Sequence, residues 1–264
     1  MKITVFTSNQ PRHLALVNRL ADVSSTTYAV LECSTVFPGK VEDSYKKTDV
    51  MRRYFEKVIA AENALYGNIS FSKSNVRTLA IKKGDLSMLG NEHLKEALCS
   101  DLYVVFGASY IKGWLIDYLV SKKAINIHMG VSPYYRGSAC NFWALYDNKP
   151  EYVGATVHLL SKGLDSGPVL YHALPVLKGD TPFEFTMRAV EAAQESLVER
   201  ISSNQIFDFQ PQEQDRSQEI RYAKKSDFTD EVADEFLKRN LDGGNLASLL
   251  DKAVKPQLIA PFYR

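Results

Sequence analysis

Residues 124–168 decide the fold and the chemistry of this chain, and they read AINIHMGVSPYYRGSACNFWALYDNKPEYVGATVHLLSKGLDSGP. The stretch opens on an apolar strand in which Asn126 and His128 alternate with isoleucines. Because successive side chains of a strand point to opposite faces, these two polar side chains share one face of the sheet. The turn SKGLDSGP at residues 161–168 lets Asp165 fold back toward a neighbouring strand end. We therefore predict that Asn126, His128 and Asp165 form one polar cluster.

The residue types of this cluster suit acyl transfer. Asn126 and His128 can both donate hydrogen bonds to the negative charge that develops on the oxygen of a reacting carbonyl. A histidine beside a carboxylate, as His128 is expected to be beside Asp165, can move protons near neutral pH. The chain has neither an H-E-x-x-H zinc signature nor a G-x-S-x-G nucleophile elbow. We therefore expect a reaction that needs no metal and no covalent enzyme intermediate.

Length and composition limit the class of protein. The chain has 264 residues, of which 45% are hydrophobic and 24% charged, so it can hold one large domain and a small appendage. A formal net charge of +1 argues against a partner bound by broad phosphate neutralisation, and no nucleic acid is expected. Three scattered cysteines without a C-x-x-C pair fit a reducing compartment. No apolar stretch has the length of a signal peptide or a membrane span, so we expect a soluble cytoplasmic protein without a membrane partner.

Strands and helices alternate along the chain, which is typical of an α/β fold with a parallel sheet. Strands are predicted at residues 2–7, 27–33, 76–81, 102–106, 124–128, 154–160 and 169–177. Helices are predicted after residue 9, where Ser8 or Asn9 can act as the cap and Pro11 suits the first turn, and at residues 43–65, 181–201 and 229–240. The polar, glutamine-rich segment 202–221 marks a boundary. We predict a catalytic core over residues 1–205 and a small C-terminal region with one helix over residues 206–264.

Four pieces of this sequence, in this order, resemble the catalytic core of the folate-dependent formyltransferases, a group that includes glycinamide ribonucleotide transformylase and methionyl-tRNA formyltransferase. The pieces are N-x-H at 126–128, SPYYRG at 132–137, GATVH at 154–158 and GLDSGP at 163–168. The resemblance is tightest over residues 102–169 and extends more loosely over residues 1–201. It implies a Rossmann-like core in which helices flank a mostly parallel, twisted sheet.

The resemblance also implies roles for individual residues. It implies transfer of the formyl group of 10-formyltetrahydrofolate to a primary amine, with Asn126, His128 and Asp165 as the catalytic residues and no metal. The residues that it places against the formyl donor are Ser109, Tyr110, Ile111, Gly163 and Leu164. The candidates for binding the acceptor are Ser8, Asn9, Arg12, Arg136, Gly137 and His158. Structural alternatives stay open for this second set, since Ser8 and Asn9 suit a helix cap, Arg136 a turn and His158 a bond to a neighbouring strand.

The acceptor is the least determined part of the prediction. The loop TSNQPRH at residues 7–13 lacks the glycine-rich phosphate loop of glycinamide ribonucleotide transformylase, and the region after residue 222 looks too short and too balanced in charge to hold tRNA. The YYRG block and the compact length look more like the branch that formylates nucleotide-linked amino sugars for surface polysaccharides. We expect this acceptor, and we keep three alternatives open: methionyl-tRNA or another small amine, a formyltetrahydrofolate hydrolase, and a non-catalytic folate or nucleotide sensor.

The sequence does not identify the sugar, its nucleotide or the oligomeric state. The apolar end LIAPFYR at residues 258–264 suits either a partner subunit, as in a homodimer, or the chain's own core.

Overall fold

A computed structural model describes residues 1–33, 47–68 and 70–264, and within these residues the chain folds around an eight-stranded sheet with a second, two-stranded sheet beside it. The strands are β1 (Lys2–Ser8), β2 (Thr26–Cys33), β3 (Val76–Lys82), β4 (Leu102–Val105), β5 (Ile125–His128), β6 (Tyr135–Gly137), β7 (Ala155–Leu159), β8 (Val169–Leu174), β9 (Arg221–Ala223) and β10 (Phe262–Tyr263). The helices are α1 (Pro11–Asp22), α2 (Asp49–Tyr66), α3 (Asn91–Leu94), α4 (Gly113–Ser121), α5 (Cys140–Tyr146), α6 (Pro182–Ser202), α7 (Asp230–Lys238) and α8 (Gly243–Lys252).

The large sheet has the strand order β10-β8-β7-β5-β4-β1-β2-β3. The neighbours from β3 to β5 are parallel, β7 is antiparallel to both β5 and β8, and β10 is parallel to β8. The predicted fold class, a mostly parallel sheet flanked by helices, is confirmed. The antiparallel β7 matters for the site, because it brings a second polar strand alongside β5.

Alternating side chains of the central strands supply two cores, one on each face of the sheet. Val5 and Val104 pack with residues of α1 and α6 on one face. Phe6 and Tyr103 pack with residues of α4 on the other face. Both faces are therefore covered, which explains why β4 is apolar and buried throughout.

The C-terminal region packs on the rest of the chain. β9 pairs with β6, and β10 pairs with β8. Phe236 of α7 and Leu246 of α8 join an aromatic core with Phe142 and Phe185. The end of the chain thus lies against its own sheet, which matches one of the two interpretations of LIAPFYR. The limit between residues 205 and 206 stays a prediction.

Several predicted elements need correction. The predicted cap of α1 is wrong, since the N-cap residue is Gln10, whose side chain makes no capping hydrogen bond. The second helix begins at Asp49 with Thr48 as its cap, and the earlier part of the predicted helix, residues 43–46, lies outside the described residues. The C-terminal region contains two helices rather than one, because α8 follows α7. Within the described residues, no helix has the length and apolar character needed to cross a bilayer.

Candidate active site

The polar cluster is built on β5 and its antiparallel neighbour β7. In their register Asn126 lies opposite His158, and His128 lies opposite Thr156. The Thr156 hydroxyl accepts from the backbone N–H of Ser132 at 2.8 Å and donates to the carbonyl of Gly130 at 2.6 Å, so it holds the loop that follows β5. Strand pairing therefore places Asn126 and His128 on one face with His158 directly across from Asn126, as the period of a strand requires.

Asp165 completes the cluster from the turn after β7. Its Oδ2 lies 3.3 Å from Nδ1 of His128, and its Oδ1 accepts from Nδ2 of Asn126 at 3.3 Å. Asp165 has a φ of +45°, a conformation that costs on the order of 1–3 kcal/mol for a residue with a side chain. The turn is held by Gln214 of the C-terminal region, whose Nε2 donates to the carbonyls of Asp165 at 3.0 Å and Gly167 at 2.8 Å. The structure brings Asn126, His128 and Asp165 into contact, as the sequence predicts.

His158 orients Asn126. Its Nδ1 donates to the carbonyl of Leu159 at 2.8 Å, so its Nε2 is left to accept from Nδ2 of Asn126 at 2.9 Å. Burial lowers the pKa of His158 to about 4, which keeps the ring neutral at pH 7 and preserves this arrangement. Both ring nitrogens are engaged within the protein, which matches the alternative interpretation of this histidine. The two amide hydrogens of Asn126 point at His158 and Asp165, since both of these partners are acceptors.

Cys140 contacts the other side of His128, and sequence reasoning missed it. Its Sγ lies 3.4 Å from Nε2 of His128, so both nitrogens of that ring have a neighbour in the protein. A Cβ on Gly130 would lie 2.5 Å from Cβ of Cys140 and 3.0 Å from Nε2 of His128, so the contact requires glycine there. Burial, followed by the charge of Asp165, raises the pKa of the Cys140 thiol, which therefore stays protonated. The three cysteines are unpaired, as their number and scatter indicate.

A small cavity of about 100 Å³ opens on one side of the cluster. Asn126, His158 and Asp165 line it together with all five residues predicted to contact the formyl donor, which are Ser109, Tyr110, Ile111, Gly163 and Leu164. The turn that carries Asp165 and the loop after β4 thus meet at the carboxyl end of the parallel strands, where open α/β sheets bind ligands. The structure brings this predicted set together.

A larger cavity of about 670 Å³ lies on the side of Cys140. Its charged lining residues are Arg12, Lys47, Lys83, Lys225 and Asp230. Its aromatic lining residues are Tyr54, Phe55, Phe142 and Phe228. Because Cys140 lines this cavity and touches His128, and Asp165 lines the smaller one and touches the same ring, the His128 imidazole connects the two cavities.

The lining of the larger cavity is rich in unpaired cations. In the described part of the chain Lys83 and Lys225 form no ion pair, whereas Arg12 Nη1 lies 2.8 Å from Oε1 of Glu62. Tyr54 is 8% exposed, and its hydroxyl has no hydrogen-bond partner among the described residues. Burial raises the pKa of Tyr54, so this hydroxyl remains a donor. An anionic molecule with an aromatic group fits this combination of charges and rings.

Three of the residues predicted to bind the acceptor lie at or before the start of α1. Ser8 and Asn9 line neither cavity. At the start of α1, Oε1 of Glu62 accepts from the backbone N–H of Arg12 at 3.1 Å, so a carboxylate of the protein occupies the position expected for a phosphate. Arg12 itself does line the larger cavity.

The YYRG block attaches the C-terminal region. Arg136 Nη1 lies 2.8 Å from Oε2 of Glu219. A Cβ on Gly137 would lie 2.1 Å from the carbonyl oxygen of Ala223, so the glycine serves the pairing of β6 with β9. Arg136 and Gly137 line neither cavity, which favours the structural interpretation. Among the residues that the structure describes, no group of three or more histidine, cysteine or acidic side chains is arranged to hold a metal ion.

Comparison with known proteins agrees with this geometry. The family model described as formyl transferase matches residues 89–201, a range that contains Asn126, His128, Cys140 and Asp165. Over this range the chain is similar to the folate-dependent formyltransferases. The resemblance drawn from the four sequence pieces is thereby confirmed.

Individual relatives and solved structures extend the comparison. The methionyl-tRNA formyltransferase of Synechococcus sp. (strain JA-3-3Ab) is 32% identical over 137 residues, which are 50% of this chain and 42% of that protein. This chain therefore spans less than half the length of that relative. Among solved structures, a 4-N formyltransferase from Francisella tularensis is similar with a TM-score of 0.53 at 15% identity, covering 86% of this chain and 77% of the other. A sugar N-formyltransferase from Shewanella sp. is similar with a TM-score of 0.50 at 18% identity, covering 86% and 78%. At these identities the two structures show a common fold.

Proposed function

We propose that this chain transfers the formyl group of 10-formyltetrahydrofolate to the primary amine of a nucleotide-linked amino sugar. One observation carries the proposal: His128, held by Asp165, connects a small cavity on the side of Asn126 with a large cationic and aromatic cavity on the side of Cys140. The small cavity, of about 100 Å³, takes the part of the donor that reaches the polar cluster, and the large cavity takes the acceptor. The residues that line each cavity are the proposed binding residues for its ligand.

The three polar residues divide the work of the transfer. The amine nitrogen forms a bond to the formyl carbon, the bond from that carbon to N10 of the folate breaks, and one proton passes from the amine to N10. Nε2 of His128 lies 3.4 Å from Cys140 Sγ, and by releasing this contact it can donate to the reacting carbonyl and stabilise the charge on oxygen. Asp165 holds Nδ1 of His128 and assists the movement of the proton. Asn126 can give a hydrogen bond to the same oxygen only by releasing one of its present acceptors, His158 or Asp165.

The large cavity supports an anionic, aromatic acceptor. Lys83 and Lys225 can neutralise phosphate charge. Binding a phosphate there breaks no existing ion pair, because neither lysine has an ion-pair partner in the described residues. Phe55 and Phe228 offer rings to a nucleobase, and the Tyr54 hydroxyl offers one hydrogen bond. A small amine without phosphate would leave these cations unused.

Methionyl-tRNA is the second candidate acceptor. The observation in its favour is the 32% identity to a protein named methionyl-tRNA formyltransferase. A tRNA acceptor would need further contacts for its backbone, and those contacts would make the reaction strongly dependent on salt.

The test follows the release of tetrahydrofolate from 10-formyltetrahydrofolate with a panel of acceptors: nucleotide-linked amino sugars, glycinamide ribonucleotide, charged initiator tRNA and water alone. We expect rapid release only with an amino sugar. Release with tRNA would replace the proposed acceptor, release with water alone would indicate a hydrolase, and no release would overturn the proposal. Asp165→Asn is expected to lower kcat by about 10²–10⁴-fold, the range for a lost proton-transfer group, while donor binding persists.

The assignment of the large cavity has its own test. Replacing Lys83 and Lys225 by methionine is expected to raise KM for the nucleotide-linked acceptor by about tenfold or more while KM for the donor stays constant. Lys122→Met removes a lysine that lines neither cavity and serves as the matched control. Equal acceptor KM values for the double variant and the control would refute the cavity assignment.

A further inference from the structure

Glu32 is a buried carboxylate that the proposed chemistry does not use. It lies near the carboxyl end of β2 and is 1% exposed. Its Oε1 accepts from the backbone N–H of Gly84 at 2.8 Å and from the Ser109 hydroxyl at 2.6 Å. Its Oε2 accepts from the backbone N–H of Ser109 at 2.5 Å. In the part of the chain that the structure describes, no lysine or arginine forms an ion pair with it.

Burying this carboxylate is expensive, and its hydrogen bonds offset the cost. An ionised carboxylate without a cation costs several kcal/mol to bury unless strong donors satisfy it. Gly84 follows β3 and Ser109 follows β4, so Glu32 on β2 bonds to the segment after its neighbour β3 and to the segment after β4, which lies on the far side of β1. An apolar side chain of the same size would fill the space without tying these segments together.

The segment of residues 109–111, which Glu32 holds, forms a wall of the small cavity. Ser109, Tyr110 and Ile111 follow one another in that wall. Glu32 holds the inner end of this segment, and the Tyr110 hydroxyl holds the outer end by donating to the carbonyl of Lys162 at 2.8 Å. The backbone N–H and the hydroxyl of Ser109 are both directed at Glu32, so neither is presented to the cavity. Ser109 therefore contributes to the shape of the cavity wall through its hydrogen bonds to Glu32.

We propose that Glu32 is a positioning residue for the formyl donor, which holds the segment from Ser109 to Ile111 in the shape that binds the folate. The inference rests on the proposed function, because it takes the folate as the ligand of the small cavity. Glu32 itself touches neither the donor nor the reacting atoms. Loss of its charge weakens binding of the donor and leaves the catalytic cluster of Asn126, His128 and Asp165 intact.

The test uses Glu32→Gln, which keeps the size of the side chain and turns one acceptor into a donor that faces an N–H group. The probe is 5-formyltetrahydrofolate, an isomer of the donor with the formyl group on N5, titrated calorimetrically into the full-length protein. We expect about tenfold weaker binding of the probe and a similar rise in KM for 10-formyltetrahydrofolate, corresponding to loss of hydrogen bonds to a charged group. The turnover number at saturating donor and the acceptor KM should change by less than about twofold.

Two further variants separate positioning from stability. Asp180 is another buried carboxylate, 4% exposed, and it accepts from Nε of Arg188 at 2.6 Å. Neither Asp180 nor Arg188 lines either cavity. Asp180→Asn is therefore expected to lower the unfolding temperature without changing donor KM. Ser109→Ala removes one of the bonds to Glu32, and we expect it to weaken probe binding about threefold and to add little further effect in the double variant with Glu32→Gln.

The outcomes distinguish the two proposals. A wild-type protein that does not bind 5-formyltetrahydrofolate would contradict the proposed function, whatever Glu32 does. A wild-type protein that binds it while Glu32→Gln binds equally well would overturn the positioning role. If Glu32→Gln does not fold, Ser109→Ala carries the test, and unchanged probe binding in that variant would likewise overturn the role.

Discussion

His172 should make the stability of this protein fall in mild acid. The side chain is 1% exposed on β8, its Nε2 donates to the carbonyl of Ser132 at 2.8 Å, and its Nδ1 accepts from the backbone N–H of Ile259 at 3.0 Å. Burial lowers the pKa of His172 from 6.5 to about 4. A proton on Nδ1 of His172 would also place an N–H donor against the backbone N–H of Ile259. The folded protein therefore resists protonation that the unfolded chain accepts freely.

The sign and size of the effect follow from this difference in pKa. The folded pKa is depressed, so stability is unaffected above pH 6.5, falls as the pH drops below 6.5, and stops falling near pH 4, where the folded state also binds the proton. Each pH unit is worth about 1.4 kcal/mol, so His172 accounts for a loss of about 2 kcal/mol between pH 8 and pH 5.

The assay is urea unfolding at pH 8, 6.5 and 5, for the wild type and for His172→Gln. The variant is expected to be less stable at pH 8 by about 1–3 kcal/mol, because a buried partner is left unsatisfied. From pH 8 to pH 5 it should lose about 2 kcal/mol less than the wild type loses. The other buried histidines are present in both proteins and cancel in this comparison. His93, whose side chain is 55% exposed, provides the control His93→Gln, which should keep the wild-type pH dependence. Identical pH dependence of the wild type and His172→Gln would refute the reasoning.

Three further predictions concern a helix cap, the catalytic turn and the large cavity. Thr181→Ala removes the hydroxyl that accepts from the N–H of Glu184 at 3.3 Å, and should lower the free energy of unfolding by about 0.5–2 kcal/mol in urea titrations. Gly167→Ala should reduce kcat strongly, because its Cβ would lie 1.8 Å from the carbonyl oxygen of Leu159. A Cβ on Gly163 would meet the Ser166 side chain, with Oγ at 2.3 Å, so Gly163→Ala should change donor KM more than kcat at saturating donor. Tyr54→Phe should raise acceptor KM by about three- to tenfold with little change in kcat, and an unchanged KM would exclude a hydrogen bond from this hydroxyl to the acceptor.

The parts of the site that the sequence predicts are those that depend on local rules. The period of a strand places Asn126 and His128 on one face, and a glycine-bounded turn returns Asp165 to them. The contacts of Cys140 with His128 and of Gln214 with the turn depend on where distant segments pack. No periodicity or motif carries that information, so sequence reasoning missed both residues. The contact of Cys140 also depends on the absence of a side chain at Gly130, which a glycine in a loop does not reveal by itself.

Two errors of the sequence-based prediction involve glycines, one at Gly137 and one at Gly243 and Gly244. Gly137 is a predicted acceptor-binding residue, and the structure places the carbonyl of Ala223 against it instead. A missing Cβ indicates a close approach without telling whether a ligand or another strand makes it. Helix α8 is missing from the prediction because it begins with Gly243 and Gly244, and each glycine disfavours a helix by about 1 kcal/mol relative to alanine. Burial of Leu246 against the aromatic core and the Asp242 cap compensate for that cost.

The positions of the site residues along the chain explain why similarity to the formyltransferases leaves the identity of the acceptor open. The proposed catalytic residues lie within residues 89–201, the range that the family model matches. The cations of the large cavity lie outside that range, at Arg12, Lys47, Lys83 and Lys225. Similarity over the matched range therefore speaks for formyl transfer and carries little information on the molecule that receives the formyl group. Substitutions at Lys83 and Lys225 should accordingly change acceptor preference without changing the chemistry at His128, and measurements of kcat/KM across the acceptor panel can establish this directly.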